Sequence, residues 1–330
     1  MVTIGIIGCG KIAEKHSLAY KKIPEVEVFV YDKDKSKAAK VARDMALEYV
    51  EDPSVFFSSK NVNAIDICVP TAYHIEYILR GIEAGKHIFC EKPLCRNTEE
   101  VREIKKRLKG RKLTVMVGYL YRYHPAFQLI KEVLVENIIG DIHFGIFRLG
   151  GRGSHAVWKH RKNGGGVILE MMVHKLDLVL WYFDKIDTCR FLSHKTVMKY
   201  RCIGNRNVRV DAEDLAVLEL KSKNALIICE SDLLTPSYMD YIELHGQRGS
   251  IFSSILDFMP TVVFCKETRG IFNRGNNIYH FPKVDLFVAE LRDFVKNIQE
   301  GKCITGSLED SIKIFNILEK VKAGRGSRYI

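Results

Sequence analysis

The chain has 330 residues, 47% hydrophobic and 28% charged, and its 51 Lys and Arg against 40 Asp and Glu give a net charge of +11. That length suits two domains, and the absence of a long apolar run, a basic leader or a small-residue cleavage site predicts neither a membrane span nor a signal peptide. The basic residues are spread along the chain and interleaved with acids, without a zinc-finger, helix-turn-helix or RNP pattern, so no nucleic-acid partner is predicted. The nine cysteines are odd in number and never form C-x-x-C. Cys68, Cys90 and Cys229 lie inside apolar runs, as free thiols do in a reducing compartment, which predicts a cytoplasmic protein with neither disulfides nor a metal site.

In chain order, Val2 to Ile7 reads as an apolar strand. Gly8-Cys9-Gly10-Lys11-Ile12-Ala13 follows, then a helix to about Lys22, then a strand from Val26 to Tyr31 that ends at Asp32. Strand, glycine turn, helix, strand and acid make a dinucleotide-binding unit. Gly8 allows the tight turn, and Gly10 lets the backbone and the helix N-terminus approach a pyrophosphate. Lys11 and Ile12 belong to the same turn, and Asp32 is placed to hold the ribose hydroxyls. A carboxylate there repels a 2′-phosphate, so NAD is expected over NADP, with Lys33, Lys35, Ser36 and Lys37 softening the preference.

The alternation continues with a helix over 36–47, a strand from Ala64 to Val69, a helix over 76–84 and a strand from His87 to Cys90. A helix over 98–108 and a strand over 113–117 follow. This predicts a parallel sheet covered by helices, with ligands beyond the carboxyl ends of its strands. Pro70, Thr71 and His74 follow one such end, and Glu91 and Lys92 follow another, so all five are candidates for the cofactor edge.

The pattern changes near residue 121. A helix over 126–136 precedes a meander of mostly antiparallel strands: 142–149, 190–198, 215–220, 225–229, 241–245, 250–253 and 261–265. Two helices, 286–299 and 308–321, close the chain. The expected domains are 1–121, an α/β Rossmann domain, and 122–330, an α+β domain built on one open sheet. Within the second, Asn163-Gly164-Gly165-Gly166 leads into an apolar helix on which Glu170, His174 and Asp177, spaced four and three apart, share a face. Polar groups on such a helix are paired or used. A hydrogen-bonded His174–Asp177 pair satisfies that spacing; a divalent metal site is the second reading, for which no further ligand is obvious.

Together the glycine turn, Glu91-Lys92-Pro93, the triple glycine with His174 and Asp177, and Leu244-His245-Gly246-Gln247-Arg248-Gly249-Ser250 resemble the Gfo/Idh/MocA oxidoreductases, the glucose–fructose oxidoreductase and inositol dehydrogenase family. The resemblance spans essentially the whole chain. It implies hydride transfer between NAD and a hydroxyl carbon of a sugar, sugar nucleotide or cyclitol, and a homodimer or homotetramer formed through the C-terminal sheet. Lys92 matches the family's active-site lysine, His174 its catalytic histidine and Asp177 the acid one turn on. Glu170 stands where relatives usually carry Asp, and Met172 where they often carry Gly.

Glu170 and His174, with Tyr121, Arg122, Trp158 and Arg161, are candidates for substrate contact. With Lys159 and the net charge, the last three suggest an anionic ring. Two other readings of the scaffold are a non-catalytic NAD-binding regulator and a glycosidase that uses NAD for transient oxidation. Retention of both Lys92 and His174 argues against the regulator.

Overall fold

The computed structural model describes residues 1–151, 156–301 and 305–322. The chain falls into two compact units, Met1–Leu120 with Asp285–Ile312, and Tyr121–Val284 with the chain from Lys313.

In the first unit the elements are β1 (Val2–Ile7), α1 (Lys11–Tyr20), β2 (Val26–Tyr31), α2 (Lys35–Met45), β3 (Glu48–Tyr49) and α3 (Ser54–Ser58). They continue with β4 (Ala64–Ile67), α4 (His74–Glu83), β5 (His87–Cys90), α5 (Thr98–Leu108) and β6 (Val115–Val117). The strands form one parallel sheet in the order β3-β2-β1-β4-β5-β6, so the order reverses between β1 and β4. Every residue of β1 and β4 is buried, as continuous apolar runs covered on both faces require. Helix starts are fixed locally. The Asp34 side chain accepts from Ser36 N–H at α2, and Asn97 accepts from Glu100 N–H at 2.9 Å at α5.

The second unit begins with α6 (Pro125–Val135), β7 (Ile142–Gly150), a π-turn over Ile168–Met172 and α7 (Val173–Phe183). Then come β8 (Thr188–Lys195), β9 (Tyr200–Ile203), β10 (Arg206–Arg209), β11 (Leu215–Ser222) and β12 (Ala225–Asp232). The last strands are β13 (Met239–Gly246), β14 (Gly249–Ser253), β15 (Thr261–Cys265) and β16 (Gly275–Tyr279). Eight of them form one mixed, mostly antiparallel sheet, β16-β15-β14-β13-β7-β12-β11-β8, while β9 and β10 pair as a separate hairpin. One sheet face is core: Phe147, Leu218, Ile227, Leu244 and Ile251 are fully buried. On the other face Phe144, Ile146, Ile228, Tyr241 and Phe252 remain partly exposed, and Ile278 is 59% exposed.

The closing helices α8 (Leu286–Glu300) and α9 (Leu308–Lys322) depart from the sequence expectation in one respect. Helix α8 packs on α1 in the first unit, with Lys22 Nζ 2.7 Å from Asp285 and Thr114 Oγ1 3.4 Å from the Asn297 carbonyl. Its apolar face is legible in the sequence; which body that face covers is not. Short β3 and α3, the polar β9–β10 hairpin and β16 carry no apolar alternation and have no counterpart in the sequence expectation. Among the described residues no helix is long and apolar enough to cross a membrane, and the eight described cysteines are free thiols.

Candidate active site

The glycine turn of the first unit is built as its residues require. Gly8 has φ +101°, and a Cβ there would lie 2.7 Å from the Cys68 carbonyl oxygen. Gly10 caps α1 with no side-chain hydrogen bond, and a Cβ on it would meet nothing within 4 Å. Backbone N–H groups at a helix start beside open space make a cradle for a pyrophosphate. Asp32 is locked onto the turn: Oδ2 accepts from Cys9 N–H and Oδ1 from Asp34 N–H, both at 2.8 Å. Burial, with the nearby Asp32 and Glu14 charges, pushes the Cys9 thiol up to about 12, so it is not a nucleophile here. The residues present thus fit a dinucleotide. Lys11 is exposed, Ile12 partly so. Lys35 is paired with Glu51 at 2.7 Å and Lys37 lies 3.9 Å from Asp34, so neither cation cancels the Asp32 charge.

At the carboxyl ends of β4 and β5 two loops are stapled together. His74 Nδ1 lies 2.9 Å from the Pro93 carbonyl and Nε2 2.8 Å from the Val69 carbonyl. Burial, opposed by these carbonyls, lowers its pKa. His74 therefore shapes the cofactor edge as a buried brace. Thr71 is buried and Pro70 partly exposed on the same edge. Glu91 is hydrogen-bonded to His16 Nε2 at 3.2 Å, while His16 Nδ1 is 2.8 Å from Asp66. Burial opposes the charge on Glu91, but its bond to His16 and the Lys92 ammonium hold its carboxyl below the usual value. Lys92, partly exposed, comes next in the chain and precedes a cis bond to Pro93.

In the second unit the glycine run is obligatory. A Cβ on Gly164 would lie 1.7 Å from the Trp158 carbonyl oxygen. The π-turn follows, so Glu170 lies in a wider turn than the α-helix that carries His174 and Asp177. The three residues predicted on one face take three different partners. Glu170 pairs with Lys159, whose ammonium also lies over the Trp158 ring at 5.3 Å. His174 stacks on Tyr121, centroids 4.7 Å apart and planes at 25°. Asp177 receives both Arg122 Nε at 2.9 Å and Nη2 at 2.6 Å, and the pair is only 1% and 4% exposed. Arg161, expected to face substrate, is 2.9 Å from Asp211.

Beside them lies a group that the sequence reading did not single out. Lys175 is fully buried, 2.9 Å from Asp240 and above the rings of Phe127 at 5.0 Å and Tyr121 at 5.4 Å. Burial lowers its pKa against the pull of Asp240. The Tyr121 and Tyr238 hydroxyls share a hydrogen bond. A lysine inside the apolar run after Gly166 was the available signal.

The geometry meets independent comparisons at this point. Residues 2–119 match the model of an oxidoreductase family with an NAD-binding Rossmann fold, and residues 127–252 match the GFO/IDH/MocA C-terminal domain. The chain belongs to the Gfo/Idh/MocA oxidoreductases. It is an NAD-dependent oxidoreductase with the Rossmann domain and the open sheet of that family. The myo-inositol 2-dehydrogenase of Thermotoga maritima is 26% identical over 93% of this chain and 91% of its own. The UDP-N-acetylglucosamine 3-dehydrogenase of Acidithiobacillus ferrooxidans is 30% identical over 89% and 88%. A levoglucosan dehydrogenase in complex with NADH and levoglucosan shares the fold, with TM-score 0.88 and 22% identity over 98% of this chain and 96% of that one. Against this Gfo/Idh/MocA background, His16, Tyr238 and Asp240 also lay outside the sequence reading, because a helix or strand period marks a face and does not name the partner across it.

Proposed function

We propose that the protein oxidises a secondary hydroxyl of an uncharged polyhydroxylated ring, a cyclitol or sugar, with NAD. Bound NAD supplies the hydride acceptor. Imidazole is a base of near-neutral strength, so His174 takes the hydroxyl proton. A lysine ammonium such as that of Lys92 stabilises an alkoxide as it develops. Asp177 and Arg122 enter this reading as positioning residues, because their buried bidentate pair fixes the segment carrying Tyr121 to α7.

The observation that carries the reading is the division of labour on the glycine-led helix. Each acid there has its own cation, Asp177 with Arg122 and Glu170 with Lys159, while His174 is set by ring stacking on Tyr121. The same pairing supports a neutral ring rather than an anionic one. Arg122, Lys159 and Arg161 are each engaged by a carboxylate of the chain. The partly exposed apolar face with Phe144, Ile146, Ile228, Tyr241 and Phe252 supports a homodimer or homotetramer through the C-terminal sheet. Free thiols support a cytoplasmic location.

The test is NADH formation with myo-inositol, levoglucosan and UDP-N-acetylglucosamine at low and high ionic strength. A neutral ring is expected to give the highest kcat/KM, with no loss in salt. Preference for the nucleotide sugar, with a rate that falls in salt, overturns the neutral reading. Turnover by Lys92→Ala or His174→Ala equal to the parent overturns the residue roles; a drop of about a hundredfold or more is expected.

A further inference from the structure

The end of β5 poses an electrostatic problem. An apolar strand with three consecutive buried residues, Ile88, Phe89 and Cys90, runs straight into an acid whose side chain is only 14% exposed. A carboxylate in such a place is costly unless it is paired. Its partner comes from α1. His16 is fully buried, with Nδ1 2.8 Å from Asp66 and Nε2 3.2 Å from Glu91. An imidazole faces two carboxylates with donors only when both nitrogens carry hydrogen. With both carboxylates ionised, both nitrogens donate and the ring is the imidazolium.

We propose that His16 is a positioning residue for the reaction: clamped between Asp66 and Glu91, it fixes the Glu91 carboxylate at the end of β5 and thereby the place and electrostatic surroundings of the adjoining Lys92. This rests on the catalytic reading of Lys92 given above. The charges balance only as a set. Asp66 and Glu91 bring two negative charges, His16 supplies one positive charge, and Lys92 supplies the second, acting on Glu91.

The other groups around the ring fit a cation held there. Just past β4, Cys68 Sγ is 3.4 Å from Nδ1, and burial raises the pKa of its thiol far above the ordinary value. From β5, Phe89 meets the ring edge-on at 5.4 Å; from α8, Phe287 lies at 5.6 Å with the Lys15 ammonium over its ring. From α1 itself come Ser17 and Tyr20, both fully buried, the tyrosine raised by burial and then by Asp66, with Glu290 of α8 a further contributor. Burial works against the charged His16 ring, yet Asp66 and then Cys68 hold its pKa well above the usual histidine value. Aromatic walls exclude water, so no solvent charge replaces the imidazolium if it is removed.

Two measurements test this on the full chain with NAD. The first reads the ring nitrogens of His16 by 15N NMR from about pH 6 to about pH 9, a span in which an ordinary histidine loses its proton. Two protonated nitrogens at the middle of that range are expected; a neutral ring there overturns the proposal. The second is a double-mutant cycle of His16→Gln and Lys92→Ala, by single-turnover NAD reduction with myo-inositol. His16→Gln should lower the rate about tenfold or more with NAD affinity within about twofold, and should have no effect once Lys92 is gone. An equal loss in both backgrounds, or none in either, overturns it. If Lys92→Ala itself turns over like the parent, the lysine reading fails, and this proposal falls with it. Should His16→Gln not fold, Glu91→Gln replaces it in the cycle, with the same outcomes.

Discussion

Two regions of this molecule bury charge on apolar elements, and they do it differently. In the first unit one cation is shared: His16 faces Asp66 and Glu91 at once, and Lys92 completes the balance. In the second the charges are divided into pairs: Arg122 with Asp177, Lys175 with Asp240, Lys159 with Glu170. A shared cation couples its neighbours, so losing one member changes the ionisation of the rest. Separate pairs fail one at a time. The contrast suits the roles proposed for them, placing a lysine in the first case and holding a histidine's platform still in the second.

The largest effect expected is from Asp177→Ala, which strands the Arg122 guanidinium in the core. About 3–5 kcal/mol of stability should be lost, read as a lowered urea midpoint. Replacing both partners, Arg122→Met with Asp177→Leu, should recover most of it. If the double variant is as unstable as the single, the second region is a coupled network and the contrast collapses.

The next effect concerns pH. The folded-state value of His16 lies above its unfolded value, so its contribution is complete below about pH 6.5 and is lost as pH rises towards the folded value. Glu91 runs the other way: its folded value is lowered, and its contribution is lost as pH falls through that value. Unfolding free energy should decline from neutral into alkaline pH with a His16 component of up to about 1.4 kcal/mol per pH unit. The measurement is the difference in urea midpoint between parent and His16→Gln across that range. A constant difference contradicts the shared-cation description.

A smaller effect is expected at the glycine turn. Asp32→Ala should narrow the preference for NAD over NADP by about tenfold, about 1.4 kcal/mol, measured as the ratio of dissociation constants. An unchanged ratio would move cofactor choice elsewhere. The smallest effect is Tyr121→Phe, which removes the hydroxyl bonded to Tyr238 and keeps the ring under His174. About 1 kcal/mol of stability should go. A loss several times larger would tie Tyr121 to the Lys175–Asp240 pair as one unit.

Much of this was legible in the residues. The glycine turn, Asp32 and the alternation of strands and helices carry their own periods, and the ranges of β1, β2, β5 and α5 agree with the sequence reading to the residue. His174 and Asp177 are visible because polar residues interrupt an apolar helix. Partners are another matter. That Asp177 meets Arg122, that Arg161 meets Asp211 and that His16 reaches across to Glu91 depend on tertiary placement, which sequence spacing does not encode. His16 did leave a trace. On α1 it lies with Ala13, Ser17, Ala19 and Tyr20 on the buried side, where a titratable ring is out of place unless something opposite answers it.

The return of α8 to the first unit bears on how the chain is made. By the time residue 120 has been synthesised, all six strands of the parallel sheet exist, but β6 still lacks its bridge from Met116 to Ser307, α1 still lacks α8, and Phe89 still lacks the Phe294 ring. An uncovered edge and an uncovered apolar face are what aggregating intermediates and holding chaperones recognise. Because the missing pieces lie beyond the whole of the second sheet, the cofactor-binding body cannot complete its packing until nearly the whole chain has been made. A ribosome-bound nascent chain halted after β6 should therefore stay protease-sensitive, and NAD should protect it only once synthesis has passed α8.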